Sequence, residues 1–220
     1  MLPVTGPQSD QFRLYKRCMM CRVDNLTAFI LAGGKSSRMG TDKAFLELKG
    51  RTLLQHALET VRALTPEAII VGERSKFASF GTVVEDVFRD RGPLGGIHAA
   101  LAATATDLNL ILAVDLPFLE GAFLKYLLRQ AESTDALVTL PRAAGGWQPL
   151  CAVYRKTFAA IAERSLLQSR NKIDPLFADI KTFALEERDL ARRGFSPDMF
   201  RNVNTPEEWS EAKRQRHPKK

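Results

Sequence analysis

The feature that most constrains the fold is the stretch of residues 26–43, where an apolar segment breaks at two glycines and becomes a polar, cationic loop. Residues 27–31 predict a buried strand, because the apolar side chains form a continuous run instead of alternating with polar ones. Gly33 and Gly34 end that strand and, having no Cβ, let the backbone turn sharply and approach a ligand. The lysines, arginine and serines that follow add positive charge and hydroxyls beside backbone N–H groups, which is phosphate-binding chemistry.

Two common nucleotide-binding motifs do not fit this stretch. Residues 34–36 read Gly-Lys-Ser, the end of a P-loop, but the first glycine of that motif would fall at Phe29. The dinucleotide fingerprint G-x-G-x-x-G also fails, because Gly33 and Gly34 are adjacent and the next glycine is Gly40. The loop therefore belongs to neither class.

Charged residues follow three of the strands that the sequence predicts. Arg74 lies beyond the end of the second strand, and Asp86 follows a short, edge-like strand over residues 82–84. Asp115 follows residues 109–114, the most apolar strand and therefore the central one. The carboxyl ends of parallel strands border the ligand crevice of an α/β sheet, so these side chains are candidates for ligand contacts. The alternatives are that Arg74 and Asp86 only face water and that Asp115 caps the next helix.

Strands and helices alternate from residue 26 onward, which predicts an α/β fold with a three-layer, mostly parallel sheet. One antiparallel strand is expected over residues 146–154, which include Trp147. Neighbouring strands are predicted over residues 135–140 and 181–185. The chain length allows one large domain of this kind.

The net charge of +7 lies in the two ends of the chain. Residues 1–25 carry +2 and residues 213–220 carry +5, so that residues 26–212 are neutral. We therefore expect a disordered leader over residues 1–24, one domain over residues 25–212 and a basic tail over residues 213–220. A neutral domain gives no reason to expect a nucleic-acid partner.

Cysteine usage and hydropathy favour a cytoplasmic protein without membrane contact. No apolar run reaches the roughly 18 residues that a membrane span needs, and the N-terminus lacks a signal-peptide core. Three cysteines form too sparse a set for a disulfide framework. Cys18 and Cys21 have C-x-x-C spacing but lack a second pair for a zinc site, and Cys151 is expected to pack in the core.

The glycine-containing loop resembles the signature of the nucleotidyltransferases, L-A-G-G-x-S-x-R-M-G-x-D-K, which residues 31–43 match at nearly every position. Within that class the chain is most similar to the molybdenum cofactor guanylyltransferases. Three later stretches agree with their pattern: G-P-L-x-G at residues 92–96, D-L-P-F-L at 115–119 and F-x-N-x-N-T-P-E-E at 200–208. The resemblance covers about residues 26–210 and implies a single domain with the nucleotide-diphosphosugar-transferase-like variant of a Rossmann architecture.

The resemblance also implies which residues act. Asp115 would hold Mg²⁺, whereas Arg38 and Lys43 would stabilise the leaving pyrophosphate, and these three are the implied catalytic residues. Asn202 and Asn204 would face the molybdopterin. The residues expected to bind GTP, from the resemblance and the strand ends together, are Leu31, Ala32, Gly33, Lys43, Arg74, Asp86 and Asp115.

The implied reaction transfers GMP from GTP to molybdenum-molybdopterin and releases pyrophosphate. The partners would be these two substrates, with transient contact to proteins that carry molybdopterin or mature molybdoenzymes. A cytidylyltransferase or a sugar-1-phosphate nucleotidyltransferase is the nearest alternative, and a GTP-binding regulator without turnover is an alternative of another class. Gly33 favours guanine, because the guanylyltransferases resemble L-A-G-G here and the cytidylyltransferases L-A-A-G.

Overall fold

The computed structural model describes residues 25–33, 42–62, 64–65 and 68–203 of the chain. Its strands are β1 (Leu26–Leu31), β2 (Glu47–Leu48), β3 (Arg51–Thr52), β4 (Ala68–Val71), β5 (Val83–Val84), β6 (Leu108–Ala113), β7 (Val138–Ala143), β8 (Gly146–Trp147), β9 (Cys151–Arg155) and β10 (Thr182–Glu186). Its helices are α1 (Leu53–Arg62), α2 (Arg74–Phe77), α3 (Pro93–Ala103), α4 (Gly121–Glu132), α5 (Phe158–Leu167) and α6 (Glu187–Arg192). Short 3₁₀ turns lie at Lys43–Phe45, Asp174–Ala178 and Pro197–Phe200.

Helices cover both faces of the central sheet. Every side chain of β1 is buried. Ala28 and Ile30 pack in one apolar core with the apolar stripe of α1, whereas Phe29 and Leu31 pack in a second core with α3. Successive side chains of a strand point to opposite faces of a sheet, so β1 lies between two helical layers. The predicted three-layer α/β arrangement is confirmed.

The main sheet of the described residues runs in the order β10-β7-β9-β6-β1-β4-β5, with β8 paired to β7. β1 is parallel to β4 and β6, and β4 is parallel to β5. β9 is antiparallel to both of its neighbours, β6 and β7. The sheet is therefore mostly parallel, and the chain leaves β1 on one side for β4 and β5 before it crosses to the other side for β6.

The antiparallel region differs in detail from the prediction. β7 continues through Pro141, past the predicted end at residue 140. Pro141 has no N–H, but its carbonyl accepts a hydrogen bond from the Gln148 N–H at 3.0 Å. Ala144 and Gly145, both at positive φ, then close a two-residue hairpin turn onto β8. The single strand predicted here is split, because residues 148–150 turn between β8 and β9.

The predicted leader over residues 1–24 and the basic tail over residues 213–220 lie outside the described residues, as do Cys18 and Cys21. Among the helices that the structure describes, none is long and apolar enough to cross a bilayer. Cys151 is buried outside any disulfide, and burial raises the pKa of its thiol. Its predicted place in the core is confirmed.

Candidate active site

A cleft of about 930 Å³ opens at the carboxyl ends of β1, β4, β5 and β6. This is where the strand order reverses around β1, the position at which open α/β sheets bind their ligands. Of the residues expected to bind nucleotide, the cleft lining contains Leu31, Ala32, Gly33, Lys43, Asp86 and Asp115. The structure therefore brings together residues that are up to 84 positions apart in the chain.

Lys43 and Asp115 meet in this lining. Lys43 Nζ lies 3.4 Å from Asp115 Oδ2, and their side chains are 23% and 19% exposed. Asp115 follows the fully buried β6, whereas Lys43 begins a 3₁₀ turn whose Ala44 N–H is capped by the Asp42 carboxylate at 3.2 Å. The next helix, α4, has Glu120 at its N-cap position, so Asp115 does not cap it. A cation and a carboxylate are thus held together at the end of the central strand.

Asp86 is half-buried on the β5 side of the cleft. Its carboxylate accepts a hydrogen bond from the Phe88 N–H at 2.7 Å. Burial raises the pKa of the Asp86 carboxyl above its usual value, although the Phe88 N–H, His98 and Arg89 act in the opposite direction. The carboxylate packs so closely on α3 that a Cβ at Gly95 would lie 2.5 Å from Asp86 Oδ2. Glycine is therefore required at position 95 if Asp86 is to keep its place.

The glycine-rich start of α3 forms the part of the wall on which Asp86 packs. Gly92 precedes the helix at φ 70°, a left-handed conformation that favours glycine, and Pro93 occupies the first helical turn. A Cβ at Gly96 would lie 3.2 Å from Leu31 Cδ2, so this glycine lets the helix pack closely on β1. Gly92, Pro93 and Gly96 all line the cleft. The second glycine-rich motif of the sequence thus shapes the same cleft as the first.

The backbone of Ala32 and Gly33 contributes less to phosphate binding than the sequence suggests. Both N–H groups donate to the Val71 carbonyl, at 3.0 and 3.1 Å. These two donors extend the pairing between β1 and β4 and are already engaged. At Gly33 the cleft lining therefore has a missing side chain but no free N–H. Arg38, in the same signature loop, lies outside the described residues.

Arg74 does not line the cleft, in contrast to its predicted place. It begins the four-residue helix α2, and its guanidinium donates to the Val83 carbonyl at 3.1 Å. Lys76, which the sequence interpretation missed, lines the cleft instead and pairs with Asp42 at 3.5 Å and with Glu73 at 3.0 Å. Residues on a helix point in directions about 100° apart, and a helix this short gives no periodic signal that would show which charge faces the ligand.

The C-terminal asparagine motif reaches the same strand end. The Val203 N–H donates to the Asp115 backbone carbonyl at 3.2 Å. Its neighbour Asn202 is exposed, whereas Asn204 lies outside the described residues. Asn202 is thus one residue from a direct backbone contact with the candidate metal ligand. Asn202 itself does not line the cleft, so its contact with the second substrate stays a prediction.

The donor set suits a metal ion that is shared with the substrate. Within the described residues, no group of three or more His, Cys, Asp or Glu side chains could hold a metal ion. Asp115 offers a carboxylate just after β6, beside Lys43. Mg²⁺ keeps several waters and is commonly held by one or two carboxylates together with substrate phosphates. A single carboxylate beside a lysine fits that mode of binding.

Comparison with known proteins places this geometry in one family. The family model for the MobA-like NTP transferase domain matches residues 28–180. The molybdenum cofactor guanylyltransferase of Syntrophotalea carbinolica is 36% identical over 194 residues, which cover 86% of this chain and 91% of that protein. A probable molybdenum cofactor guanylyltransferase of Carboxydothermus hydrogenoformans is 33% identical over 188 residues, with coverage of 85% and 94%.

Two solved structures have the same fold as this chain. The crystal structure of molybdopterin-guanine dinucleotide biosynthesis protein A from Archaeoglobus fulgidus superposes with a TM-score of 0.74 at 25% identity, covering 85% of this chain and 96% of that one. A 4-diphosphocytidyl-2C-methyl-D-erythritol synthase from Anaerococcus prevotii shares the fold with a TM-score of 0.63 at 16% identity. The matched residues include the strand ends that form the cleft, and the chain belongs to the MobA-like NTP transferase family.

Proposed function

We propose that the protein transfers GMP from GTP to molybdenum-molybdopterin, forming the guanine dinucleotide form of the cofactor and pyrophosphate. The observation that carries this proposal is the pairing of Lys43 with Asp115 across a cleft at the switch point of the sheet. A phosphate-binding cation and a metal-binding carboxylate are the two groups that phosphoryl transfer needs in contact with one triphosphate. The names of the relatives supply the substrates.

The chemistry requires alignment and charge neutralisation more than proton transfer. A terminal phosphate oxygen of molybdopterin attacks the α-phosphorus of GTP, a new P–O bond forms, and the bond to the bridging oxygen of the β-phosphate breaks. The electron pair of that bond leaves with pyrophosphate. The attacking monoester is largely ionised at neutral pH, because its second pKa is about 6. No protein base is therefore needed.

Lys43 is proposed to stabilise the charge that develops on the leaving pyrophosphate. Its side chain is about three-quarters buried, which strengthens its interaction with an anion relative to bulk water. In the structure the same ammonium pairs with Asp115. We expect it to contact phosphate oxygens once a triphosphate enters. Arg38 is proposed to act in the same way from the signature loop.

Asp115 is proposed to hold Mg²⁺ against the triphosphate. When bound, the ion would neutralise negative charge on the phosphate oxygens, a contribution worth several kcal/mol in comparable enzymes. Asp115 is fixed for this purpose by the buried β6 on one side and by the Val203 N–H on the other. The backbone that carries the carboxylate is therefore held in place before substrate binds.

Asp86 and Gly33 are proposed to select guanine. Guanine presents two donors, N1–H and the N2 amino group, on one edge, and an ionised carboxylate is a pure acceptor that matches them. Asp86 offers such a carboxylate in the cleft lining. Gly33, on the β1 side, leaves room for the bulkier purine. Cytosine lacks this pair of adjacent donors, so the same site binds it less well.

The second substrate is proposed to bind beside Asn202, on the side of Asp115 that faces the C-terminal motif. Neutral amides can hydrogen-bond the pterin without adding charge, and Asn204 is proposed to share this role. The reaction consumes GTP. We also propose that the protein acts in the cytoplasm. Transient contact with proteins that carry or use the cofactor follows from the need to hand on the product.

The test is pyrophosphate release with molybdopterin and Mg²⁺ supplied and with GTP, CTP or UTP as the nucleotide. Wild-type protein is expected to release pyrophosphate with GTP and much more slowly with the pyrimidine nucleotides. Asp115→Asn should abolish release, whereas Asp135→Asn serves as the matched control because Asp135 is exposed, precedes β7 and lies outside the cleft lining.

The outcomes separate the alternatives. Equal rates with GTP and CTP would move the assignment to a cytidylyltransferase. GTP binding without any pyrophosphate release would favour the regulator. Full activity in Asp115→Asn would show that the site is wrongly placed.

A further inference from the structure

The 3₁₀ turn that carries Lys43 rests on helix α2 through an aromatic stack. Phe45, the last residue of the turn, lies with its ring centroid 5.6 Å from that of Phe77, and the two planes are 24° apart. A second ring, Phe80, lies 5.9 Å from Phe45. Stacked aromatic pairs add about 0.5–1.5 kcal/mol beyond the apolar area that they bury. The contact therefore fixes the end of the turn to the β4 side of the cleft.

The position of Phe77 depends on a glycine in the cleft wall. A Cβ at Gly72 would lie 2.7 Å from Phe77 Cε2 and 2.8 Å from Cδ2, closer than such atoms approach. Gly72 lines the cleft immediately after β4, and Phe77 is 1% exposed. The Phe77 ring thus lies against Gly72 in the cleft lining and is almost completely buried. Phe45 stacks on this buried ring.

The backbone of the turn links Phe45 to Lys43. The Phe45 N–H donates to the Asp42 carbonyl, and the Leu46 N–H donates to the Lys43 carbonyl, each at 3.0 Å. With both ends of the turn hydrogen-bonded, the Cα of Phe45 cannot move far without moving the Cα of Lys43. A lysine side chain has large rotamer freedom, so the placement of its Cα limits where the ammonium can reach.

An ion pair joins the same two segments but contributes less. Lys76 Nζ of α2 lies 3.5 Å from Asp42 Oδ2, with side-chain exposures of 46% and 22%. Ion pairs this exposed are worth about 0–1 kcal/mol and weaken with salt. The aromatic stack is therefore the stronger of the two contacts.

We propose that Phe45, seated on Phe77, is a positioning residue that sets the Lys43 ammonium for its contact with the triphosphate. The inference rests on the proposed transfer reaction. It states that the aromatic stack contributes to the rate of that reaction. Lys43 Nζ now lies 3.4 Å from Asp115, at the edge of hydrogen-bond distance. Displacing a catalytic group by about 1 Å can cost on the order of 100-fold in rate. Loss of the stack therefore lowers the rate through Lys43.

A double-mutant cycle tests whether Phe45 acts through Lys43. Phe45→Leu is expected to lower kcat for pyrophosphate release by about 10- to 100-fold with a smaller change in KM for GTP. In a Lys43→Ala background the same substitution is expected to have less than about a two-fold effect. Phe45→Tyr, which keeps the ring, should retain the wild-type rate. If Phe45→Leu cannot be purified folded, Phe45→Met replaces it, because it keeps apolar volume without the ring plane.

Phe195→Leu is the matched control. Phe195 is also partly buried, stacks on Tyr126 at 5.7 Å and 29°, and lies outside the cleft lining. It should lower thermal stability about as much as Phe45→Leu and leave kcat unchanged. An equal loss of rate on removing Phe45 with and without Lys43 would overturn the proposal. So would an equal loss of rate in Phe195→Leu.

A second measurement keeps this proposal separate from the reaction itself. In the nucleotide-free protein, the NMR signals of the Lys43 ε-methylene should shift on Asp115→Asn, and the shift should shrink in a Phe45→Leu background. Wild-type protein that releases no pyrophosphate would overturn the proposed function while this shift still decides the role of Phe45. An undiminished shift in Phe45→Leu would show that the stack does not position Lys43.

Discussion

Replacing Gly33 by alanine isolates the effect of one methyl group on the choice of nucleotide. A Cβ at this position would lie 3.6 Å from the Gly72 Cα and 3.7 Å from the Val71 carbonyl oxygen, which are ordinary contact distances. Gly33 does not have a positive φ angle, so alanine can adopt the same backbone conformation without strain. The Gly33 N–H keeps its hydrogen bond to Val71. The fold therefore accepts the methyl group at no cost.

The expected magnitude follows from this tolerance. A glycine-to-alanine change at a compatible site stabilises a protein by about 0.4–1 kcal/mol, because the unfolded chain loses freedom. In a chain of this size that raises Tm by roughly 1 to 4 °C. On the ligand side, a misfitting methyl group costs about 1–3 kcal/mol. GTP affinity should thus fall by about 5- to 150-fold while stability rises, and CTP affinity should change less.

Titration calorimetry with GTP and CTP in the presence of Mg²⁺ measures both affinities, and a thermal melt measures stability. Gly121→Ala is the matched control, because a Cβ there meets no atom within 4 Å and the residue lies outside the cleft lining. It should leave both affinities unchanged. Equal weakening of GTP and CTP in Gly33→Ala would refute the steric argument. Equal affinities in the wild type would refute the assignment of guanine.

Further substitutions test the remaining assignments. Asp115→Asn should lower pyrophosphate release by at least about 100-fold with little change in Tm, which a melt beside the rate assay will show. Lys43→Ala and Arg38→Ala should each lower the rate by about 10- to 100-fold, the worth of a charge-assisted contact of about 1.5–3 kcal/mol; wild-type rates in both would remove them from the site. Asp86→Asn should raise Tm at neutral pH while it weakens GTP binding. Burial raises the Asp86 pKa, so folding disfavours its charged form and this carboxyl lowers stability as pH rises through its unfolded pKa of about 4. The gain in Tm should therefore vanish in acid, and a gain that persists there would contradict the burial argument. Removal of residues 1–24 should preserve folding and GTP binding, as circular dichroism and calorimetry can establish.

The residues that could be predicted from sequence are those whose position follows from a strand. The continuous apolar runs of β1 and β6 place the residues that follow them, Gly33 and Asp115, at one edge of a parallel sheet, whatever the details of packing. Asp86 follows in the same way from β5. The sheet class and the cleft could therefore be derived before any coordinates.

The features that the sequence analysis placed wrongly or missed depend on local geometry or on contacts between distant segments. Neither leaves a periodic pattern in the sequence. Arg74 and Lys76 are separated by one residue, and the rotation of a single helical turn decides which of them faces the cleft. β7 extends beyond its predicted end at residue 140 because the Pro141 carbonyl still pairs with Gln148. The aromatic stack under Lys43 joins Phe45 and Phe77 across 32 positions, and no periodicity reveals such a contact.

The position of β9 between two blocks of strands has a consequence for the order in which the sheet can assemble. In the described sheet, β9 pairs with β6 on one side and with β7 on the other, and so it joins the block β5-β4-β1-β6 to the block β7-β10. All four strands of the first block precede β9 in the chain, and synthesis proceeds from the N-terminus. Until residues 151–155 have emerged, the fully buried strand β6 has an open edge. A nascent chain that stalls in this interval would expose an unpaired apolar strand, the kind of edge that recruits a second chain.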